Sequence, residues 1–203
     1  MRTDLQTPYF ITGIILAGGR ATRMQGQDKG LIKLQQQPLI QHVINRLQLQ
    51  VGSIHINANR NLGDYRQLGF PVFCDANQDF QGPLSGMLQG LRQLKEHSDW
   101  IVCVPCDAPL LPLDLVTCFA QALGEENHLA VARDSKWIQP TFCMIHRSML
   151  DSLENYIASG GRKTGDWLQQ EKAVQVDFST QKHAFVNINS TDDLQEYLED
   201  NAP

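Results

Sequence analysis

The chain has 203 residues, slightly above the ~100–200 of a usual domain, and 42% of them are hydrophobic, so one domain with a real core is expected. Its formal net charge of -5 lacks the basic surplus of a nucleic-acid binder, and an acidic protein that binds phosphates must concentrate its few cations locally. No apolar run approaches the ~18 residues of a membrane span, the opening MRTDLQTPYF lacks the apolar stretch of a secretory signal, and the odd count of five cysteines in apolar surroundings fits reduced thiols in a cytoplasmic protein.

Ile11–Leu16, ITGIIL, is apolar on both faces, as a central strand covered by helices should be. A Gly-rich loop follows. Pro38 to Leu49 reads as a helix, because Leu39, Val43 and Leu47 recur at i, i+4 and i+8 with Ile40 and Ile44 beside them. Ser53–Ala58 is the second strand and Pro71–Cys74 a short third. Leu84, Met87, Leu88, Leu91 and Leu94 mark a helix entered through Gly82-Pro83. The fourth strand, Trp100–Val104, ends in Pro105-Cys106-Asp107. A helix from about Pro112 to Leu123 follows, with Leu115, Val116 and Phe119 inward. The second half is less regular. His128–Arg133 and Thr141–Ile145 read as strands and Met149–Ile157 as a helix. Ala173–Phe178 and Phe185–Ile188 read as late strands, and Ser190 with Asp193 opens a last helix over Asp192–Leu198. Strands alternating with amphipathic segments predict an α/β fold, three layers around a mostly parallel central sheet.

The most informative stretch is Leu16–Gly30, LAGGRATRMQGQDKG. Gly18 and Gly19 follow a buried strand, where glycine lets the backbone turn tightly and bring N–H groups against an anion. Arg20, Arg23 and Lys29 crowd into this one loop of an acidic chain. Polyphosphate explains that concentration, since cations offset charge developing on a leaving pyrophosphate. Two familiar phosphate motifs are absent. No G-x-x-x-x-G-K-[ST] occurs, and adjacent Gly18-Gly19 do not fit G-x-G-x-x-G. That counts against P-loop kinases and GTPases and against NAD-dependent oxidoreductases. Taken alone, Gly18-Gly19 is an ordinary turn; with Arg23, Met24 and Asp28-Lys29 in order, the balance moves to a binding loop.

L-A-G-G-x-x-x-R-M followed by D-K-G resembles the signature of nucleotidyltransferases with a Rossmann-like fold, and within them the molybdenum cofactor guanylyltransferase family. The resemblance runs from ITGIILAGG to FVNINSTDDL, through NANR at Asn57–Arg60, GPLSGM at Gly82–Met87, PCDAP at Pro105–Pro109 and QPTF at Gln139–Phe142. It implies a single Rossmann-like nucleotidyltransferase domain, with a nucleotide-binding half over roughly residues 10–110 and an acceptor-binding half over roughly residues 111–200. The activity implied is Mg²⁺-dependent transfer of GMP from GTP to the terminal phosphate of molybdopterin, with release of pyrophosphate. Implied protein partners are molybdate-insertion proteins and molybdoenzyme chaperones, with no role for nucleic acid or membrane.

The resemblance also implies roles for single residues. Leu16, Ala17, Gly18 and Gly19 line up with the nucleotide-binding loop, and Arg23 and Lys29 with basic positions on the GTP phosphates. Asp107 lines up with a Mg²⁺ ligand; on its residues alone it is also a candidate helix cap or Asx turn before Ala108-Pro109. Asn57 and Asp75, at strand ends, fall on guanine and ribose, although Asn57 is equally a strand-end turn former. Gly82–Gly86 is either a ligand-facing helix start or a plain Pro-initiated helix. Asn187 and Asn189 alternate across one residue, so on a strand they share a face, near molybdopterin or the metal. Arg162 and Lys163 in SGGRKTG are candidates for the molybdopterin phosphate.

Other signals are discounted. Cys103-x-x-Cys106 lies along a buried strand with no second pair, so core packing is the better account. The histidines are scattered without ligand spacing. Alternatives are cytidylyl transfer to molybdopterin, sugar-phosphate nucleotidyl transfer, whose enzymes usually show G-x-G-T-R, and a nucleotide-binding module that has lost catalysis. Joint retention of Lys29 and Asp107 counts against the last.

Overall fold

A computed structural model describes residues 11–18, 28–76, 82–94, 98–181 and 183–188. A seven-stranded sheet runs through the middle. β1 (Ile11–Leu16) lies between β4 (Ser53–Asn57) and β6 (Trp100–Pro105) and is parallel to both. β5 (Val72–Phe73) extends the sheet beyond β4. On the other side come β8 (Ile138–His146), β7 (Leu129–Arg133) and β9 (Val174–Asp177), giving the order β5-β4-β1-β6-β8-β7-β9. β8 is antiparallel to both of its neighbours and every other pairing is parallel. β2 (Lys33–Leu34) and β3 (Gln37–Pro38) form a separate two-stranded hairpin.

Alternation along β1 divides the core. Ile11 and Ile15 face the layer built by α1 (Leu39–Leu47), α2 (Leu62–Arg66) and α4 (Leu115–Ala122). Ile14 faces α3 (Pro83–Arg92), α5 (Leu150–Ala158) and α6 (Thr164–Gln170). With helices on both sides, the central strands have no polar face, which is why β6 is buried at every position. Among the described residues, no helix is long and apolar enough to cross a membrane.

The expected elements up to Leu123 are present, with ends that differ by a few residues. Later ones differ more. β8 starts earlier than expected, at Ile138, because its pairing with β7 shifts between Val131 and Ala132, a bulge that breaks the sequence alternation. α6 was not anticipated, since only Thr164, Trp167 and Leu168 of it are buried and the glycines before it read as loop. Phe185–Ile188 is not a strand. Its apolar side chains serve ring packing instead: Phe185 stands edge-on to Phe142 at 4.7 Å and to Phe178 at 5.5 Å. The last helix expected over Asp192–Leu198 lies outside the described residues.

Two polar devices tie layers together. Gln50, only 8% exposed, donates to Arg46 O at 3.1 Å and Pro112 O at 2.8 Å, and its Oε1 accepts from Val116 N in the first turn of α4 at 3.1 Å. It therefore caps α4 from across the layer, where Asp114 at the N-cap makes no side-chain capping bond. At the end of β8, His146 Nδ1 accepts from Ser148 N–H and sits 3.3 Å from His128 Nδ1. Partial burial, then the neighbouring His128, pulls the His146 pKa below 6.5.

Replacing Gln50 with Ala strands several buried groups, so urea titration is expected to find unfolding free energy lower by about 1–3 kcal/mol. For His146 the folded-state pKa is depressed, so its contribution is present above the unfolded value of 6.5 and is lost as pH falls through the folded value. Urea midpoints taken from about pH 7.5 down to about pH 5 should fall, and the fall should be shallower in His146→Asn.

Candidate functional site

The site lies at the carboxyl edge of the parallel strands, where open α/β sheets bind ligands. β1, β4 and β6 end at one level: Leu16 is in register with Asn57 and Pro105. Backbone pairing continues one residue further, Ala17 N to Asn57 O at 2.8 Å and Cys106 N to Leu16 O at 3.2 Å. Above this edge is a cleft of about 230 Å³. Leu16, Ala17 and Gly18 form its floor, with Lys29 and Asp107 on one side and Asn57, Gly82 and Pro83 on the other. Asp28, Cys106, Thr141 and Asn187 complete the lining.

Seven of the expected site residues thus share one cleft: Leu16, Ala17, Gly18, Lys29, Asn57, Asp107 and Asn187. Asp75 stands behind Asn57. Gly19, Arg23 and Asn189 lie outside the described residues, as does Arg20. Asn187 reaches the cleft from an irregular segment and not from a strand, so the shared-face reason for pairing it with Asn189 does not apply. That segment is held to the site by Ile188 N donating to Asp107 O at 2.9 Å. Arg162 and Lys163 are not in the lining. Arg162 donates to Ile157 O and Gly161 O at the end of α5, and Lys163 occupies the N-cap of α6.

Lys29 Nζ donates to Asp107 Oδ2 at 3.4 Å, with the carboxylate side chain 10% exposed and the lysine 29%. Burial raises the Asp107 pKa, and the Lys29 ammonium and hydrogen bond pull it back only in part. The folded protein therefore holds a carboxylate that is short of positive charge. Among the described residues no three or more His, Cys, Asp or Glu side chains gather into a metal cage. One carboxylate at the edge of a phosphate-sized cleft nevertheless fits Mg²⁺, which takes one or two carboxylates and completes its shell with water and substrate phosphates. Cys106, between Asp107 and Asp28, is buried, and burial and both carboxylates push its thiol pKa up. It stays a neutral packing group, as does Cys103.

Asn57 has a defined orientation. Its Nδ2 donates to Asp75 Oδ1 at 2.9 Å, and Asp75 Oδ2 accepts from Asn59 Nδ2 at 2.8 Å. Turning the amide over would set oxygen against carboxylate, so the Asn57 carbonyl oxygen is held towards Gly18 and Gly86. A Cβ on Gly18 would lie 3.1 Å from that oxygen, and one on Gly86 would overlap it and come within 2.7 Å of Leu16 Cδ2. Both glycines keep this acceptor open. Sequence reasoning did not assign Asp28 or Thr141 to the site. Each lies inside a quoted motif, DKG and QPTF, so the motifs carried the signal and the individual roles did not show.

The sequence matches the profile of the MobA-like NTP transferase domain over residues 13–174. The chain belongs to that family. It is 46% identical over 190 residues to the molybdenum cofactor guanylyltransferase of Cupriavidus metallidurans, covering 91% of this chain and 92% of that protein. It is 45% identical over 186 residues to the enzyme of the same name from Haemophilus influenzae, covering 91% and 96%. In three dimensions it is similar to the molybdopterin-guanine dinucleotide biosynthesis protein A of Archaeoglobus fulgidus, with a TM-score of 0.71 at 21% identity over 93% of this chain and 97% of that one. The 4-diphosphocytidyl-2C-methyl-D-erythritol synthase of Anaerococcus prevotii superimposes equally well, with a TM-score of 0.72 at 15% identity over 95% and 97%. Those two likenesses concern the Rossmann-like fold, which serves MobA-like proteins and cytidylyl enzymes alike.

The raised Asp107 pKa has a consequence for stability. A raised folded-state pKa means that stability is present at low pH and lost as pH rises through the folded value. Ligand-free Asp107→Asn is therefore expected to melt higher than wild type near neutral pH, with the difference closing below the carboxylate range. A lower midpoint would mean that the Lys29 pair outweighs burial.

Proposed function

We propose that this MobA-like protein transfers GMP from GTP to the terminal phosphate of molybdopterin, releasing pyrophosphate and forming molybdopterin guanine dinucleotide. The observation that carries this reading is the identity of 45–46% over nine-tenths of the chain to proteins named molybdenum cofactor guanylyltransferase. The cleft supports it with a floor that ends in Gly18, one lysine, the two buried carboxylates of Asp28 and Asp107, and the Asn57 amide. We extend the proposal to a cytoplasmic setting, and to molybdate-insertion proteins and molybdoenzyme chaperones as suppliers and recipients.

In this reading the triphosphate lies over Ala17 and Gly18. An oxygen of the acceptor phosphate attacks the α-phosphorus, a new P–O bond forms in line with the breaking one, and pyrophosphate leaves with the bonding pair. A phosphate monoester is mostly dianionic at neutral pH, its second pKa being about 6, so the nucleophile needs no general base. The protein supplies position and charge. Lys29 lies against the phosphates, where its ammonium offsets the charge growing on the leaving group, and Arg23 joins it. Asp107 would hold Mg²⁺, which would supply charge to offset that of the phosphate oxygens. Guanine presents N1–H and N2–H donors, which the Asn57 carbonyl oxygen can accept, with Asp75 holding the amide in place. Thr141 and Asn187 come from the later half of the chain and are assigned to the acceptor; Asn189, outside the described residues, is assigned with them.

The test is thermal melting with GTP, CTP, ATP and UTP, each with and without Mg²⁺, followed by transfer from labelled GTP to molybdopterin. A midpoint raised by GTP alone, and labelled product, are expected; a ligand at 100 times its dissociation constant adds about 2.7 kcal/mol to the native state. A shift with CTP alone would replace GMP transfer by cytidylyl transfer. Lys29→Ala and Asp107→Asn are each expected to lower turnover by about 10²–10³-fold or more with the fold retained, judged by comparison with lost charge-stabilising groups elsewhere. Full activity in either would remove that residue from the site.

A further inference from the structure

Tyr65, on α2, is fully buried, yet it carries a hydroxyl into the core. That hydroxyl donates to Asp28 Oδ1 at 2.6 Å. Asp28 is 7% exposed and caps nothing: it occupies the N-cap of the single 3₁₀ turn Lys29–Leu31 without a side-chain bond to it. The turn closes through its backbone, Leu31 N to Asp28 O at 3.0 Å and Ile32 N to Lys29 O at 3.2 Å. It also sits flush on its support. A Cβ on Gly30 would lie 2.8 Å from the Tyr65 hydroxyl oxygen and 3.2 Å from Cys106 Cβ. The turn that carries Lys29 is thus seated between a phenol and the residue preceding Asp107.

Stability alone does not account for this pair. A buried hydroxyl and a buried carboxylate each cost desolvation that their mutual bond only offsets, and an apolar pair of the same shape would hold the fold about as well. What a short bond to a charged acceptor adds is a fixed direction in a water-poor setting. Burial, then Cys106 and Asp28, push the phenol pKa far up, so Tyr65 remains a donor throughout the working range. Lys29 gains most from this. Its stem is flexible and rich in rotamers, so where its ammonium points depends on where its backbone is held.

We propose that Tyr65 is a positioning residue for nucleotidyl transfer, acting through Asp28 to seat the turn that presents Lys29 beside Asp107. The inference rests on Lys29 acting on the triphosphate, as proposed above, but not on the base or the acceptor. The comparison is therefore made with whichever nucleoside triphosphate and acceptor the wild type turns over; a wild type that prefers CTP ends the GMP reading and leaves this one standing.

The test measures kcat, both KM values and the melting midpoint for wild type, Tyr65→Phe, Asp28→Ala and the double variant, at a temperature well below every midpoint. Each single variant is expected to lower kcat by roughly 10–100-fold, as lost supporting contacts do elsewhere, with the acceptor KM unmoved. The double variant is expected to be no slower than the slower single, because both substitutions break one contact. Wild-type kcat in folded Tyr65→Phe would overturn the proposal whatever its midpoint, and so would losses that multiply in the double. If Asp28→Ala fails to fold, the kcat of Tyr65→Phe decides alone.

Discussion

Everything in this molecule hangs on β1 being covered on both faces and paired on both edges. Its backbone groups are satisfied by β4 and β6, and its side chains face two apolar layers. A strand so enclosed cannot slip by one residue without exchanging its two faces. The register that places Leu16 beside Asn57 and Pro105 follows from that, and so does the common level at which the cleft begins. Site geometry here is inherited from sheet register.

The parts that could be read from the residues are the parts governed by local pattern. Apolar runs gave away β1 and β6, the short SIHINA stretch gave away β4, and an i, i+4, i+8 spacing gave away α1. The site followed the same divide. Gly18, Asn57 and Asp107 stand at or just beyond strand ends and Lys29 follows in the DKG motif, and all four meet in the cleft. Asn187 was found for a reason that does not hold, since its segment is irregular and is tied in by Ile188. Tyr65 and Asp28 were invisible as a pair because they are separated by 37 residues and meet only after α2 folds back under the turn. Arg162 was read as a candidate because it is a cation among glycines, and its Nη1 donates to carbonyls at a helix end. Neither contact leaves a trace in spacing.

The chemistry and the stability of the cleft pull in opposite directions. Asp107 is held in a place that disfavours its charge, and Lys29 relieves this only partly. The Lys29 ammonium at 3.4 Å is the cation that the folded protein sets against it. Asn57 is the complementary case, a polar group whose amide nitrogen is held by Asp75, so that the direction of its carbonyl oxygen is settled in the ligand-free fold. The cleft thus holds one oriented amide and one partly relieved ion pair.

The pairing order of the sheet also bears on how the chain comes off the ribosome. β1 is made first, but its second edge is closed only by β6, about 90 residues later in the sequence. Until then an apolar ribbon with one open edge must wait, partnered at most by β4. Thr141 and Asn187 reach the cleft later still, so synthesis delivers the floor of the pocket long before its far wall. An unpaired strand edge is a template for pairing with other chains, so the order of synthesis leaves β1 exposed to that hazard until β6 is made.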